Sequence, residues 1–249
     1  MLQGLVRLLD RPMLSIVTIN KDNRQGLQKT IASLGHLQNR SYQWVCIDSV
    51  STDGSVELAN QFKAVGDVVI SEKDSGIYNA MNKGITKATG DFVLFLNSGD
   101  TLAPSITSLD FLTGIAGQDL ALFGFEIRGQ HRLPRTNAWR YWSMPTSHQA
   151  ILYSKSLLER QPFDETYRFA ADFEHYLRIN RENRKISYDD RALIVNEPYG
   201  SDAHLPVLLA EYRHALIKNG YPKVWAHFVY WFKTYYLKWA LRKASKESS

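Results

Sequence analysis

The chain has 249 residues, 44% of them apolar and 12% aromatic, enough to bury the core of one large domain or of one domain with an appendage; such a composition excludes a disordered protein. Its net charge of +5 is unevenly spread, because Glu211–Ser249 holds eight Lys or Arg against two Glu, a net of +6, and the preceding 210 residues sum to −1. That balance argues against a nucleic-acid footprint spread over the fold, while the single Cys46 excludes a disulfide framework or a cysteine metal cluster and makes a reducing cytosolic setting the default.

The opening MLQGLVRLLDRP has no unbroken apolar segment of signal-peptide length, and no uncharged apolar run is long enough for a conventional membrane span. Leu14–Ile19 is a β-branched run that predicts the first strand, followed by the turn-prone Asn20-Lys21-Asp22-Asn23. Leu27, Ile31, Leu34 and Leu37 share one helix face, and Trp44–Ile47 predicts a second buried strand ending at Asp48. Ser51-Thr52-Asp53-Gly54-Ser55 then offers capping oxygens ahead of a helix marked by Val56, Leu58, Ala59 and Phe62. A third strand, Val68–Ile70, leads through a polar loop with Asp74 and Gly76 into helical spacing at Ile77, Ala80, Met81, Gly84, Ile85 and Ala88. Gly90-Asp91 turns the chain into strand Phe92–Leu96, which empties into a polar turn carrying Asn97 and Asp100.

Strand and helix thus alternate three times with short connections. The pattern predicts right-handed βαβ units and an α/β fold, a mostly parallel sheet with helices on both faces. Ligands in such sheets sit outside the carboxyl ends of the strands, so Asp74 and Asp100 should face one crevice, a geometry suited to a metal-bound diphosphate.

Beyond Asp100 the periodicity loosens. Leu120–Phe125 predicts another strand, and Glu126–Pro145 is basic, aromatic and poorly periodic. Rings stack on sugars and arginines bind phosphates, so that segment suits either an acceptor site or an excursion packed over the sheet. Phe163-Asp164-Glu165 and Ala170-Ala171-Asp172-Phe173-Glu174 lead into a partly buried helix through Leu177 and Ile179, ending in the charged Arg181–Lys185 run. After Gly200-Ser201 the sequence turns helical and basic, and Trp225, Phe228, Val229, Phe232, Tyr235, Tyr236 and Trp239 recur at three- and four-residue steps as one aromatic stripe. His227, Lys233, Lys238 and Arg242 lie off its centre, the pattern of an interfacial helix whose cations reach anionic lipid; the alternative is a helix folded back on the domain.

The succession SIVTIN, WVCIDSVSTDGS, SEKDSGIYNAMNKGITKATGDFVLFLNSGD, HQAILYSKSLL and FDETYRFAADFEHYLR resembles the inverting family 2 glycosyltransferases of the GT-A fold, in particular the bacterial enzymes that build exopolysaccharide, capsule or lipopolysaccharide sugars. The resemblance implies a Rossmann-like GT-A catalytic domain over residues 1–203, with 204–249 as a helical, basic and aromatic extension. It also implies a nucleotide-diphospho-sugar donor, a divalent ion, Mn2+ or Mg2+, and an acceptor hydroxyl on a membrane-associated, lipid-linked glycan. The enzyme would then sit peripherally on the inner face of the cytoplasmic membrane.

In that reading a divalent cation neutralises the departing diphosphate, and Asp100 is its candidate ligand, although Asn-Ser-Gly-Asp is also simply turn chemistry. The family strand ends in an Asp-any-Asp triplet; here Asn97 stands at the first acid and contributes an oxygen without charge. His148 is a candidate for the metal or a phosphate, or a structural histidine. The resemblance places Asp48 and Thr18 at the nucleoside, with Asn20 beside them, and Asp74 at the nucleotide. Asp53 is either a ligand contact or a helix cap, and Asn82 follows Met81 where relatives carry Arg-Asn; Lys83 is read as a solvated helix face. The base that takes the acceptor's proton is implied at Asp172, with Glu174 as its rival and an N-cap role as the structural alternative.

Two other classes compete. A sugar nucleotidyltransferase would carry a glycine-rich basic phosphate loop after the first strand, and Asn20–Gly26 lacks that glycine density. A non-catalytic nucleotide-sugar or glycan-binding module is distinguished by the absence of metal-dependent turnover.

Overall fold

The computed structural model describes residues 13–197 and 204–247, with side chains up to residue 236. The MLQGLVRLLDRP stretch and the Gly200-Ser201 pair lie outside the described residues, as do the side chains of Lys238, Trp239 and Arg242. Strand β1 (Leu14–Asn20) is followed by helix α1 (Arg24–Leu34), β2 (Tyr42–Asp48), α2 (Ser55–Phe62), β3 (Val68–Ser71), α3 (Ile77–Lys87) and β4 (Phe92–Phe95), the alternation that the periodicity predicts. Beyond it come β5 (Thr101–Leu102), β6 (Leu120–Ile127), β7 (Gln130–Arg132), β8 (Ile151–Ser154), α4 (Lys155–Arg160), α5 (Ala171–Ile179) and β9 (Ile186–Asn196). Helices α6 (Leu205–Lys218) and α7 (Lys223–Glu247) complete the described chain.

All nine strands join one sheet in the order β3-β2-β1-β4-β8-β6-β9-β5, with β7 paired to β6. β1 is parallel to β2 and β4, and β2 to β3; β8 then inserts antiparallel between β4 and β6. The carboxyl ends of β1, β2 and β4 therefore open on one side of the sheet. Alternation along β1 sends Ile16 into one apolar layer, with Trp44, Leu94 and Leu152, and Val17 into the other, with Val45, Met81, Phe95 and Tyr153. Both faces are covered, as a parallel sheet requires.

Close approach explains two glycines. A Cβ on Gly84 would stand 2.4 Å from Val17 Cγ1, so the bare backbone lets α3 lie directly on β1, and one on Gly90 would come 2.6 Å from the Leu14 carbonyl carbon. Glu126–Pro145 is more ordered than its sequence pattern suggests: β6 runs to Ile127, β7 returns antiparallel to it, and residues Asn137–Tyr141 form a 3-10 turn.

The aromatic stripe of α7 divides between two environments. Trp142 packs on Trp225 and Phe232, with ring centroids 6.5 and 5.3 Å apart, and Ala226 and Val229 are buried. Lys233 departs from the solvated position expected off the stripe: its ammonium lies over the Trp142 and Tyr212 rings at 5.6 and 4.7 Å, and burial lowers it to about 8. Trp231 and Tyr235 remain 63% and 64% exposed.

Candidate active site

Three strand ends are laced together by one amide. Asn20, at the end of β1, donates to Asp48 Oδ1 at 2.8 Å and to the Ser51 hydroxyl at 3.1 Å, and accepts from the Ser98 hydroxyl at 2.7 Å. Asp48, at the end of β2, also accepts from the Ser51 N–H, the Ser51 hydroxyl and the Ser71 hydroxyl. Burial alone would raise this carboxyl, but these donors outweigh it and hold Asp48 below its ordinary range. The same bonds fix the turn at Val50, a β-branched residue held at φ 53°. Thr18 lies beneath this layer, fully buried, accepting from Trp44 Nε1 at 3.0 Å. Asp53 accepts from Arg24 N at the start of α1 and from Ser55 N and Oγ at the start of α2, whose N-cap position is Gly54.

The loop after β4 is tied to the far end of the sheet. Asp100, 5% exposed, accepts from Glu197 N at 2.8 Å and Asn196 Nδ2 at 3.1 Å through Oδ1, and from Gln149 Nε2 at 3.2 Å through Oδ2. Burial raises its carboxyl above the ordinary value although these donors pull the other way. Gly99, at φ 107°, takes a conformation that side chains avoid, and Glu197 Oε2 lies 3.5 Å from where its Cβ would stand.

Two buried polar atoms in this region have no partner: Asn97 Oδ1 and His148 Nε2. Buried polar atoms without partners are rare, and both residues line the same cleft as Asp100. Asp100, Asn97 Oδ1 and His148 Nε2 therefore fit an oxygen-rich divalent cation whose coordination is completed by a ligand's phosphates. Among the described residues no group of three His, Cys, Asp or Glu side chains is placed to hold a metal unaided.

Asp172 stands in the first turn of α5. The Tyr78 hydroxyl donates to its Oδ1 at 3.1 Å, and His148 Nδ1 lies 3.6 Å from Oδ2. Glu174, the rival acid, is fully buried between Arg178 at 3.2 Å and Lys218 at 3.3 Å and does not line the cleft. Asn82 is likewise turned away: it brackets the approach to α5 by donating to the Phe163 carbonyl and to Glu165 and accepting from Phe163 N. Lys83 pairs with Glu72 at 2.8 Å on the helix surface.

An open cleft of about 1680 Å³ joins these parts. Asp74, Asn97, Asp100, His148 and Asp172 all line it, whereas Thr18, Asn20, Asp48, Asp53 and Asn82 are not among its lining residues. Arg132, Arg135 and Arg168 also line it, so the cleft carries cations as well as carboxylates. Tyr78, Gln149, Asn196 and Glu197 are site residues that the sequence pattern did not mark; each acts through a contact with a residue far away in the chain, for which no local signal exists.

Residues 15–175 match the model of the family described as Glycosyl transferase family 2. An uncharacterized glycosyltransferase of Mycobacterium tuberculosis is 30% identical over 180 residues, 67% of this chain and 68% of its own. A PGL/p-HBAD biosynthesis glycosyltransferase of the same organism is 28% identical over 181 residues, covering 67% and 69%. Among solved structures, S. aureus TarS 1-349 in complex with UDP-GlcNAc superposes with a TM-score of 0.66 at 16% identity, over 87% of this chain and 70% of that one. The mannosyltransferase PcManGT of Pyrobaculum calidifontis, in complex with GDP-Man and Mn2+, gives 0.64 at 17%, over 87% and 68%.

Proposed function

The chain belongs to glycosyl transferase family 2, and from that premise we propose that it is a metal-dependent inverting transferase moving a sugar from a nucleotide-diphospho-sugar to a hydroxyl of a membrane-associated, lipid-linked glycan. The observation that carries this reading is the opening of Asp172, held by Tyr78 and flanked by His148, onto the same cleft as Asp74, Asn97 and Asp100.

The donor's diphosphate lies toward Asp100 and Asn97, and its nucleotide toward Asp74. Asp172 faces the acceptor hydroxyl and takes its proton as that oxygen attacks the anomeric carbon. The new carbon–oxygen bond forms on one face of the sugar while the bond to the diphosphate breaks on the other, which inverts the centre. A divalent cation held by Asp100, Asn97 Oδ1 and His148 Nε2 would supply charge neutralisation for the leaving nucleoside diphosphate. Tyr78, donating to Oδ1, fixes the direction of the carboxylate.

The exposed side of α7 supports the membrane-associated acceptor. Val224, Phe228, Trp231 and Tyr235 follow one another at four-, three- and four-residue steps and all remain exposed. Aromatic rings on one helical face beside a basic segment suit an anionic lipid surface. No helix among the described residues is long and apolar enough to cross a membrane, so the contact would be peripheral.

The test pairs binding with turnover. UDP and GDP are titrated with and without Mn2+ into the protein and its Asp100→Asn variant, and a panel of UDP- and GDP-sugars is then assayed for release of nucleoside diphosphate. Metal-dependent binding lost in the variant, with nucleoside diphosphate as product, is the expected result. Pyrophosphate release would instead indicate nucleotidyl transfer, and binding without metal-dependent turnover a non-catalytic module.

A further inference from the structure

Helix α5 begins without a cap of its own. Its N-cap position is Ala170, which has no side-chain oxygen, so the backbone N–H groups entering the helix need acceptors from elsewhere. One residue of α6 supplies an acceptor for the N-cap amide and for the two amides that precede it. Glu211 Oε1 accepts from Arg168 N at 2.9 Å, and Oε2 accepts from Phe169 N at 2.8 Å and Ala170 N at 2.9 Å.

Three successive amides converge on one carboxylate. Such charge-assisted bonds are short and strong, and they fix the turn's direction as well as its position. Asp172 follows two residues after the last of these amides. Rings stack on either side of the contact, Phe169 on His204 at 4.8 Å and Phe173 on Tyr212 at 4.3 Å, so α6 grips the start of α5 over its whole first turn. Arg168 and Phe169 themselves line the cleft beside Asp172.

We propose that Glu211 is a positioning residue for the transfer reaction, its carboxylate setting the origin of α5 and hence the place of the Asp172 oxygens. The role rests on the reading of Asp172 as base. It makes α6 part of the machinery, acting from outside the segment that matches the family model, which ends at residue 175. A carboxylate displaced by an ångström from its proton target costs about a hundred-fold in rate, so the loss of Glu211 should be felt in turnover before binding.

The test uses the full chain and three variants: Glu211→Ala, Asp172→Asn and the double variant. Amide hydrogen exchange reports the contact directly. In Glu211→Ala the amides of residues 168–170 should exchange at least about ten-fold faster while those of β1 and β4 keep their protection, a local opening and not a loss of fold. Mn2+-dependent UDP affinity should stay within about two-fold, and nucleoside-diphosphate release from the best UDP- or GDP-sugar of the panel should fall about ten- to a hundred-fold. In the Asp172→Asn background, removing Glu211 should leave the residual rate unchanged, because residues acting through one group are not additive. Unchanged exchange at 168–170 would overturn the contact, and faster exchange with intact turnover would overturn the positioning role. An equal fractional loss in both backgrounds would overturn action through Asp172. Failure of the base reading is seen separately, as normal turnover in Asp172→Asn alone.

Discussion

His148 turns one ring nitrogen toward Asp172, with Nδ1 3.6 Å from Oδ2, and leaves the other, Nε2, buried without a partner. One imidazole thus stands between the candidate base and the candidate cation site. His148→Ala should weaken UDP binding about ten-fold in the presence of Mn2+ and leave metal-free binding unchanged. Isothermal titration in both conditions decides the matter: equal losses with and without Mn2+ would assign His148 to Asp172 alone.

Tyr78→Phe tests the other contact to Asp172. The ring is buried and packs on Phe163 with centroids 5.7 Å apart, so Phe keeps the packing and removes only the donor. A hydrogen bond to a charged group contributes about 1.5–3 kcal/mol, and turnover should fall about ten-fold or more with the melting temperature nearly unchanged. Steady-state kinetics that match the parent would remove Tyr78 from the mechanism.

The sheet's left half was legible because its signals are local. Leu14–Ile19 and Val68–Ile70 each extend by a single residue in the structure, and the apolar spacing of α3 marks Ala80, Met81 and Ile85 as core, which they are. β9 was not legible: half-buried Asp189 and exposed Asp190 and Arg191 interrupt its middle, and burial resumes only at Ala192. Asp74 and Asp100 were identifiable from type and place and Asp172 from the family resemblance, but Glu197 was not, and the Tyr78–Asp172 bond joins residues 94 apart and leaves no trace in either segment. Asp53 shows the opposite limit, since a carboxylate in a Ser-Thr-Asp-Gly-Ser turn reads alike as ligand or cap, and its three donors come from the first residues of two helices 29 and two residues away in the chain.

Gly84 offers a test of packing. A Cβ there would stand 2.4 Å from Val17 Cγ1, so Gly84→Ala should cost about 1–3 kcal/mol through overpacking despite Ala's better helix propensity. Adding Val17→Ala should recover part of that loss in urea denaturation. Strict additivity of the two changes would show that the methyl groups do not meet.

Acid stability should carry the signature of His175. Its ring is fully buried, Nε2 lies 2.7 Å from the Gln161 carbonyl oxygen, and burial holds it down to about 3. The folded protein keeps this ring neutral while the unfolded chain takes up a proton below about pH 6.5, so stability falls as pH drops from there to about 3. The slope from this group is about 1.4 kcal/mol per pH unit. Melting temperatures across that window should flatten in His175→Phe; an unchanged slope would assign the acid sensitivity to other groups.

The exposed edge of α7 can be altered without disturbing its buried edge. Trp231→Ser with Tyr235→Ser should reduce co-sedimentation with phosphatidylserine-containing vesicles several-fold and leave the melting temperature in place, since both side chains are more than half exposed. Equal vesicle binding by parent and variant would remove this face from the membrane reading.

The grip of α6 on the segment from Asp164 to Phe173 also orders events in time. Lys218 reaches back to Asp164 Oδ2 at 2.5 Å, and Tyr212 stacks on Phe173, so the segment that carries Asp172 finds its lasting partners about forty to fifty residues downstream. A chain emerging from the ribosome can build β1 to β4 and their helices from what it already contains, because domains form as their parts appear. It cannot set that segment until α6 has followed. The strand ends that carry Asn97 and Asp100 would therefore form on the nascent chain before the proposed base has its place, and a ribosome stalled within α6 would present a folded sheet with Asp172 still unanchored.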